Sequence, residues 1–556
     1  MTVPPVVAGR SPEDLGRTDA LVAAAVAATG LAFYLRTLAP DLLYGDSAEL
    51  QTLSYTLGST HPTGYPAALL LGRLIGFLPS GSPAWRVSLL SALCGATALA
   101  AVYLLARHVT SSRVAGAVGC LALGVTQSFW SQAVIAEVYA PAAAVAAVAL
   151  LLLVRWHERP EQRLRCLFWA ALLVGLGLGV HASVWLLAPA GAVFVAVTLA
   201  AGRSGRAAWG RALRAALGGG MLGLLLYLGA YAWVDHNDPL TSNFRVVLEP
   251  SRTLYNLTPT RFDSLPERIW LQLSAVQWRD AVGRGAGDSL GAEAARLLHR
   301  VVTTDFGVAA LLLAVLGAVV MVRTRVGPAV LLGVLFLVAI GARLGFRVSD
   351  SYGALLAAYL PVAVAVAAGL GAAASAAGRL ARAGNGAGRA AGGLVLLLGA
   401  VAIVAPHAAT RWQALRTGSP AFVEDRYAFP VDAPGEPRRV AETYLADLPS
   451  DAVLLLSWKC LYSVAYVAHV ERRQDDILLF EAMPRTAATA RFKRGLAGGT
   501  RAAVAESLVE EVVRLVGEGR PAYADADYPG LERAFRLEPT ASGLRSLVLA
   551  PRPGPE

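Results

Sequence analysis

Up to about residue 410 the chain is a succession of apolar runs, rich in Ala, Leu, Val and Gly, separated by short breaks that carry arginine. About 20 apolar residues cross the hydrocarbon core of a bilayer as one helix, and a spanning segment must satisfy its own backbone hydrogen bonds there. A pattern repeated this often excludes a soluble globular fold. The charged fraction agrees, at 16% against the roughly 25% of an ordinary soluble domain. Beyond residue 410 the composition becomes that of a soluble domain.

The windows predict an all-α polytopic membrane protein with about eleven spans, at roughly 20–38, 87–106, 114–130, 138–154, 166–180, 184–201, 215–234, 305–322, 328–342, 354–375 and 392–410. Residues 67–79 are apolar but short and interrupted by Arg73, which predicts an interfacial helix. Residues 235–304 are polar with interleaved aromatics and read as a long structured loop. With the N-terminus in the cytoplasm, the inner loops carry seventeen arginines and the outer ones five (Arg36, Arg73, Arg86, Arg343 and Arg347). The expected organisation is a cytoplasmic N-terminus at 1–19, a transmembrane domain at 20–410 with outer loops 39–86 and 235–304, and an extracytoplasmic domain at 411–556. No cleavable signal peptide is expected, because the first apolar run ends in Phe33-Tyr34-Leu35-Arg36.

The tail predicts a small α/β domain. Val453–Ser457, Ile477–Phe480 and Ser546–Ala550 are strand-like, and Ala502–Val516 places Leu508, Val512, Val513 and Val516 on one helical face. It contains no nucleotide-binding glycine loop, and Asp525 and Asp527 read as solvated acids beside a turn, so no tightly bound metal or other cofactor is expected. Four cysteines make no disulfide framework. The net charge of +10 comes from loop arginines and calls for a lipid bilayer, not nucleic acid.

On this topology the unusual polar residues converge on the outer face: Asp46 and Glu49 after the first span, His61-Pro62-Thr63-Gly64-Tyr65-Pro66, Glu137 and Tyr139, His181, Asn237-Asp238-Pro239, and Ser349-Asp350-Ser351-Tyr352. Asp46 and Glu49 stand at i, i+3, so one helical turn sets both on one face. A partly desolvated carboxylate there can act as a general base. The plainer alternative is that Asp46 caps a helix beginning at Ser47 while Glu49 is solvated. The two prolines and glycine of the His61 turn fix a non-helical backbone, which either presents His61 and Tyr65 to a ligand or simply steers the chain. Glu137, an acid at a span end, is costly to place in an apolar setting. A lone histidine such as His181 is more often a packing residue than a ligand.

The run Asp46-Ser47-Ala48-Glu49-Leu50, the His61–Pro66 turn, Leu71-Gly72-Arg73-Leu74 and Trp85-Arg86-Val87-Ser88-Leu89-Leu90-Ser91-Ala92 resembles the signature of a multi-spanning family, long of unassigned function, that includes a eukaryotic protein O-mannosyltransferase. Phe129-Trp130-Ser131-Gln132-Ala133 with Glu137-Val138-Tyr139 is similar to its second block. Gly175–His181, Asn237-Asp238-Pro239 and Asp350-Ser351-Tyr352 resemble later ones more loosely. The resemblance covers about the first 370 residues and implies a GT-C glycosyltransferase. That class moves a sugar from a polyprenyl-phosphate donor to a hydroxyl of a protein Ser or Thr, or of a glycan, on the non-cytoplasmic side. The resemblance implies Asp46 as catalytic base, with Glu49 as its neighbour. His61, Tyr65, Arg73, Glu137, Tyr139, His181, Asp238, Arg245 and Asp350 are then candidates to bind substrate or lipid phosphate. In the tail, Ser457-Trp458-Lys459 departs from the more acidic motif expected of bacterial relatives. The Arg- and Ala-rich, Lys-poor composition suggests a bacterial inner membrane.

Two other readings compete. A transporter would place ionisable residues near the bilayer midplane, often within inverted repeats, whereas mid-span charges are scarce here; a ligase or flippase of lipid-linked sugars is the nearest chemical neighbour and would share much of this site. A non-catalytic scaffold has no need of an Asp-x-x-Glu pair beside a His-Pro turn.

Overall fold

The structure is a computed structural model that describes residues 15–110, 112–277, 290–345, 353–385, 388–417, 435–483 and 503–550. Among the described residues nine helices are long and apolar enough to cross a membrane. They are α1 (Arg17–Arg36), α4 (Pro83–Val109), α7 (Tyr139–Glu158), α9 (Leu187–Ala201, entered through a 3-10 turn from Ala182), α10 (Arg206–Asn237), α13 (Gly307–Thr324), α14 (Val326–Gly345), α15 (Leu356–Asn385) and α16 (Gly388–Thr417). Shorter helices lie between them: α2 (Gly45–Thr56), α3 (Pro66–Ile75), α5 (Arg113–Gly124), α6 (Gln127–Ala133), α8 (Leu164–Gly177), α11 (Leu265–Leu273) and α12 (Leu290–Arg300).

Two of the expected spans differ from simple rods. The window 114–130 is a bent pair, α5 and α6, with 71° between its halves. Thr126 starts α6 afresh, its hydroxyl accepting from the Phe129 amide at 3.2 Å. The window 166–180 holds the 14-residue α8, which ends before an extended His181 caps the next turn. The bent pair and α8 account for the difference between nine long helices and eleven apolar windows. The expected interfacial segment is α3, with proline at its first position.

Close helix contacts in the bundle depend on residues without side chains. A Cβ on Gly219 would lie 2.1 Å from the Phe168 carbonyl oxygen and one on Gly223 2.2 Å from that of Leu172, where α10 meets α8. On α13 a Cβ on Gly317 would lie 1.8 Å from the Ala365 carbonyl oxygen of α15. Apolar surface gives little drive for association in lipid, so backbone approach at small residues takes its place. Leu213, Leu217 and Leu225 of α10, Leu312 and Val315 of α13 and Leu394 and Leu397 of α16 are exposed, as side chains that face acyl chains must be.

The C-terminal domain comprises α17 (Glu436–Leu445), β1 (Val453–Leu456), α18 (Trp458–Ala465), β2 (Leu478–Glu481), α19 (Glu506–Gly517), β3 (Ala522–Ala524), β4 (Phe535–Pro539) and β5 (Arg545–Leu549). Its sheet has the order β2-β1-β3-β5-β4, with β1 parallel to both neighbours and β5 antiparallel to β3 and β4. β1 is buried throughout, as a central parallel strand covered on both faces must be. Val453 and Leu455 pack with Leu508, Val512 and Leu515 of α19. Leu454 and Leu456 point the other way, into a cluster that holds Leu461, Tyr462 and Tyr466 together with Leu50, Leu53, Tyr65 and Val87. The segment between α1 and α4 and the C-terminal domain therefore share one hydrophobic core.

Candidate active site

Within that shared core the polar residues that follow α1 are fixed one by one. Tyr44 is the N-cap of α2 and makes no side-chain cap bond, so Asp46 is the second residue of the helix and not its cap. Its negative charge lies at the helix N-terminus, where the peptide dipoles favour it. Asp46 is half-buried, and its Oδ1 accepts a hydrogen bond from the Trp458 indole Nε1–H at 2.6 Å. One turn later Glu49 is fully buried. Its Oε1 accepts from the His61 amide at 2.8 Å and its Oε2 lies 2.5 Å from His61 Nδ1. The i, i+3 carboxylates thus have different partners: Glu49 is taken up by His61, and Asp46 is the more open of the two.

The His61 turn is held by its glycine. Gly64 has φ +91°, and a Cβ there would lie 2.9 Å from the Tyr231 ring. Tyr65 closes the turn by donating its hydroxyl hydrogen to the Pro62 carbonyl at 2.9 Å, with His61 Nε2 at 3.2 Å from the same oxygen. Burial alone would push the His61 imidazole down. The Glu49 carboxylate, with smaller contributions from Asp46 and Glu137, outweighs it and lifts the pKa to about 10. Burial pushes Glu49 up as well, against the opposing charge of His61. The pair therefore keeps a proton at neutral pH, carried on His61 as an imidazolium against a carboxylate.

His181 adjoins this pair in the opposite charge state. Burial, and then the charge on His61, push its pKa down to about 3. Its Nδ1 accepts from the Ser183 amide at 3.1 Å, which leaves the ring proton on Nε2. The Tyr139 and Tyr65 rings lie 4.8 and 5.7 Å from it. Glu137 is fixed through its backbone, which exchanges hydrogen bonds with the Ser91 hydroxyl, while its carboxylate accepts from the Val138 amide at 3.0 Å. Asp46, Glu49, His61, Tyr65, Glu137, Tyr139 and His181 thus belong to one neighbourhood.

Other expected site residues are engaged elsewhere. The Arg73 guanidinium lies over the rings of Tyr55 and Phe77, at 5.7 and 5.6 Å. Arg245 forms an ion pair with Asp238 at 2.6 Å, both half exposed, while the neighbouring Asn237 donates to the Thr56 carbonyl at the end of α2. Asp350 lies outside the described residues. Trp458 was not among the expected site residues: it stands 412 positions from Asp46, and nothing in either segment signals the other. Its ring also lies edge-on to His61 and Tyr462, at 5.9 and 5.3 Å. Asp525 is not solvated, since its carboxylate accepts from the Ser457 amide and hydroxyl just before Trp458. Among the described residues no group of three or more His, Cys, Asp or Glu side chains is placed to hold a metal ion.

Residues 46–202 match the family model described as Protein O-mannosyl-transferase TMEM260 N-terminal domain. A Protein O-mannosyl-transferase TMEM260 of Mus musculus is 34% identical over 135 residues, 24% of this chain and 19% of that protein. The Dictyostelium discoideum protein of the same name is 26% identical over 145 residues, 25% of this chain and 18% of its own length. The chain thus matches about a fifth of the length of these curated relatives. In overall fold it is similar to ArnT from Cupriavidus metallidurans, solved with undecaprenyl phosphate, with a TM-score of 0.54 and 14% identity over 96% of this chain and 98% of that one. The chain is a polytopic integral membrane protein of the GT-C fold with an O-mannosyltransferase-like N-terminal part, and its homologues are membrane glycosyltransferases.

Proposed function

We propose that this protein is an inverting GT-C glycosyltransferase that moves a sugar from a polyprenyl-phosphate donor to a hydroxyl of a protein Ser or Thr, or of a glycan. On this reading the site lies at the non-cytoplasmic face of a bacterial inner membrane, with the N-terminus inside. The domain boundaries at 1–19, 20–410 and 411–556 belong to the same reading. The observation that carries it is Asp46: a half-buried carboxylate in the first turn of α2, inside the segment that matches the family model, beside a protonated His61–Glu49 pair. The undecaprenyl phosphate held by the similarly folded Cupriavidus protein supports a lipid of that kind as carrier.

In the proposed reaction Asp46 takes the proton of the acceptor hydroxyl as that oxygen attacks the anomeric carbon. The bond from that carbon to the phosphate oxygen breaks, and its electron pair leaves with the polyprenyl phosphate. Negative charge grows on the departing phosphate, where the His61 imidazolium would stabilise it. Glu49 is fully buried and acts through His61 as a positioning residue. Tyr65, Tyr139 and His181 form the wall next to it, and neutral His181 can donate from Nε2 without adding charge. Arg245, held by Asp238, and Arg73, stacked on two rings, have more distant parts as edge groups for the donor.

The test is transfer of radiolabelled sugar, mannose first, from membrane lipid into protein or glycan in a strain lacking the native copy. Loss of a general base costs roughly 10²–10⁴ in rate, so Asp46→Asn is expected to abolish labelling while the protein still accumulates in the membrane. Equal labelling by wild type and Asp46→Asn would remove Asp46 as the base.

A further inference from the structure

Of the Asp46 carboxylate oxygens, Oδ1 is held by Trp458, a residue of the C-terminal domain. That domain is anchored to the same loop from several sides. The Arg438 guanidinium donates to both oxygens of Asp41, at 2.6 and 2.9 Å, and to Glu471 at 2.6 Å. Thr52 of α2 donates to the Tyr462 carbonyl at 2.9 Å, and the Tyr466 hydroxyl accepts from the Ala84 amide at 3.0 Å. Trp458 itself is set at the first turn of α18, directly after Ser457, whose amide and hydroxyl are bound by Asp525. The indole is therefore aimed from a fixed backbone, and its N–H has one partner, the carboxylate.

We propose that Trp458 is a positioning residue for Asp46, supplied by the C-terminal domain to complete the site in the first outer loop. This rests on the reading of Asp46 as the base. A carboxylate on a short side chain turns about two torsions. An N–H donor fixed on one oxygen selects one rotamer and leaves the second oxygen to receive the acceptor proton. Tryptophan suits the task because the indole has a donor and no acceptor, so it cannot compete for that proton. The C-terminal domain then takes part in the chemistry through one hydrogen bond, and the Ser457-Trp458-Lys459 motif, anomalous in the sequence, has a purpose.

The test compares Trp458→Phe, which keeps an aromatic ring but no donor, with Arg438→Met, which loosens domain docking without touching Asp46. 3-Benzothienylalanine at position 458 serves as a second variant, with the indole's shape and sulfur in place of the N–H. With polyprenyl-phosphate [¹⁴C]mannose as donor and membrane protein as acceptor, both position-458 variants should lose about ten- to hundredfold in kcat with little change in donor KM. Arg438→Met, which keeps the indole N–H, should lose less in kcat than either position-458 variant. A kcat that stays at the wild-type value in both position-458 variants overturns the proposal. Activity retained in Asp46→Asn instead overturns the reading of Asp46. The hydrogen bond is also read without turnover, by ¹⁹F spectra of protein containing 5-fluorotryptophan, with the position-458 signal assigned by its loss in Trp458→Phe. That signal should shift in Asp46→Asn; a signal indifferent to Asp46→Asn overturns the proposal even if mannose is not the sugar transferred.

Discussion

Replacing Glu49 by glutamine separates the charge of the His61–Glu49 pair from its shape. Glutamine keeps an oxygen for the His61 amide, which donates to Glu49 at 2.8 Å, but removes the charge that holds the imidazolium. The rise of the His61 pKa from 6.5 to about 10, at 1.36 kcal/mol per unit, corresponds to roughly 5 kcal/mol of net stabilisation of the imidazolium after the cost of burying it. Burying the Glu49 carboxylate offsets part of this, because burial raises its pKa too, and losing one partner of a buried pair costs about 3–5 kcal/mol. We expect Glu49→Gln to be about 3 kcal/mol less stable near pH 6.5. His61 has the higher pKa in the folded state, so its contribution is complete below 6.5 and disappears as pH rises through about 10. The advantage of wild type should therefore shrink above pH 6.5, at up to about 1.4 kcal/mol per pH unit, and be gone near pH 10. Denaturant unfolding in detergent, followed by tryptophan fluorescence at pH 6, 7.5 and 9, measures it. A difference that stays constant across this range would refute the idea that Glu49 holds His61 charged.

Other consequences can be checked separately. Gly64→Ala has to place a methyl group 2.9 Å from Tyr231 at φ +91°, so about 1–3 kcal/mol of strain should appear as a lower midpoint in the same unfolding assay, and transfer should fall because His61 and Tyr65 flank the residue. Gly317→Val drives a side chain into the Ala365 carbonyl of α15, with its Cβ 1.8 Å from that oxygen; the yield of monodisperse protein in detergent should drop severalfold, while Gly333→Val, where nothing lies within 4 Å, should leave it unchanged. Arg438→Met, which loses its bonds to Asp41 and Glu471, should cost about 1–3 kcal/mol of docking and speed amide exchange in α17 and α18 more than in α13 and α15.

The membrane part of the fold was legible because lipid imposes a length and a polarity on every span. Among the described residues the apolar windows locate all nine long helices, and they fail only where local chemistry interrupts a run. Thr126 restarts a helix inside one window, and the glycines and His181 close another early. Neither interruption makes its window polar enough to stand out from the unbroken ones. Three of the five described tail strands were visible, the first for a related reason: β1 is buried on both faces, so Val453–Leu456 is an unbroken apolar run, whereas the short β3 and the mostly exposed β4 were not read as strands. The site was only half legible. Asp46, His61 and Tyr65 are within twenty positions of one another, and the Pro-Thr-Gly-Tyr-Pro turn announces a fixed backbone. Spacing alone, however, could not tell that Glu49 is spent on His61. Nor could it tell that Arg245 is bound to Asp238 or that a tryptophan from the tail would meet Asp46, since each depends on contacts that only the folded chain creates.

The burial of α2 explains why those contacts are needed. Ser47, Glu49, Gln51, Thr52 and Ser54 are all buried together with Ala48, Leu50 and Leu53, so this helix has no polar face to leave in water and no apolar face to rest on lipid. Each polar group must find a partner inside the protein or cost stability. Gln51 accepts from the Leu43 amide at 3.0 Å and donates to the Ala84 carbonyl at 3.1 Å. Glu49 binds His61, and Thr52 binds the Tyr462 carbonyl of the C-terminal domain. Such a helix cannot be stable on the surface of the transmembrane bundle alone. It requires the His61 turn on one side and the C-terminal domain on the other, and the same enclosure holds the Asp46 carboxylate in place. The features that make α2 expensive to fold are those that leave it little freedom once folded, as a reactive group that must meet both a lipid-borne donor and a hydroxyl requires.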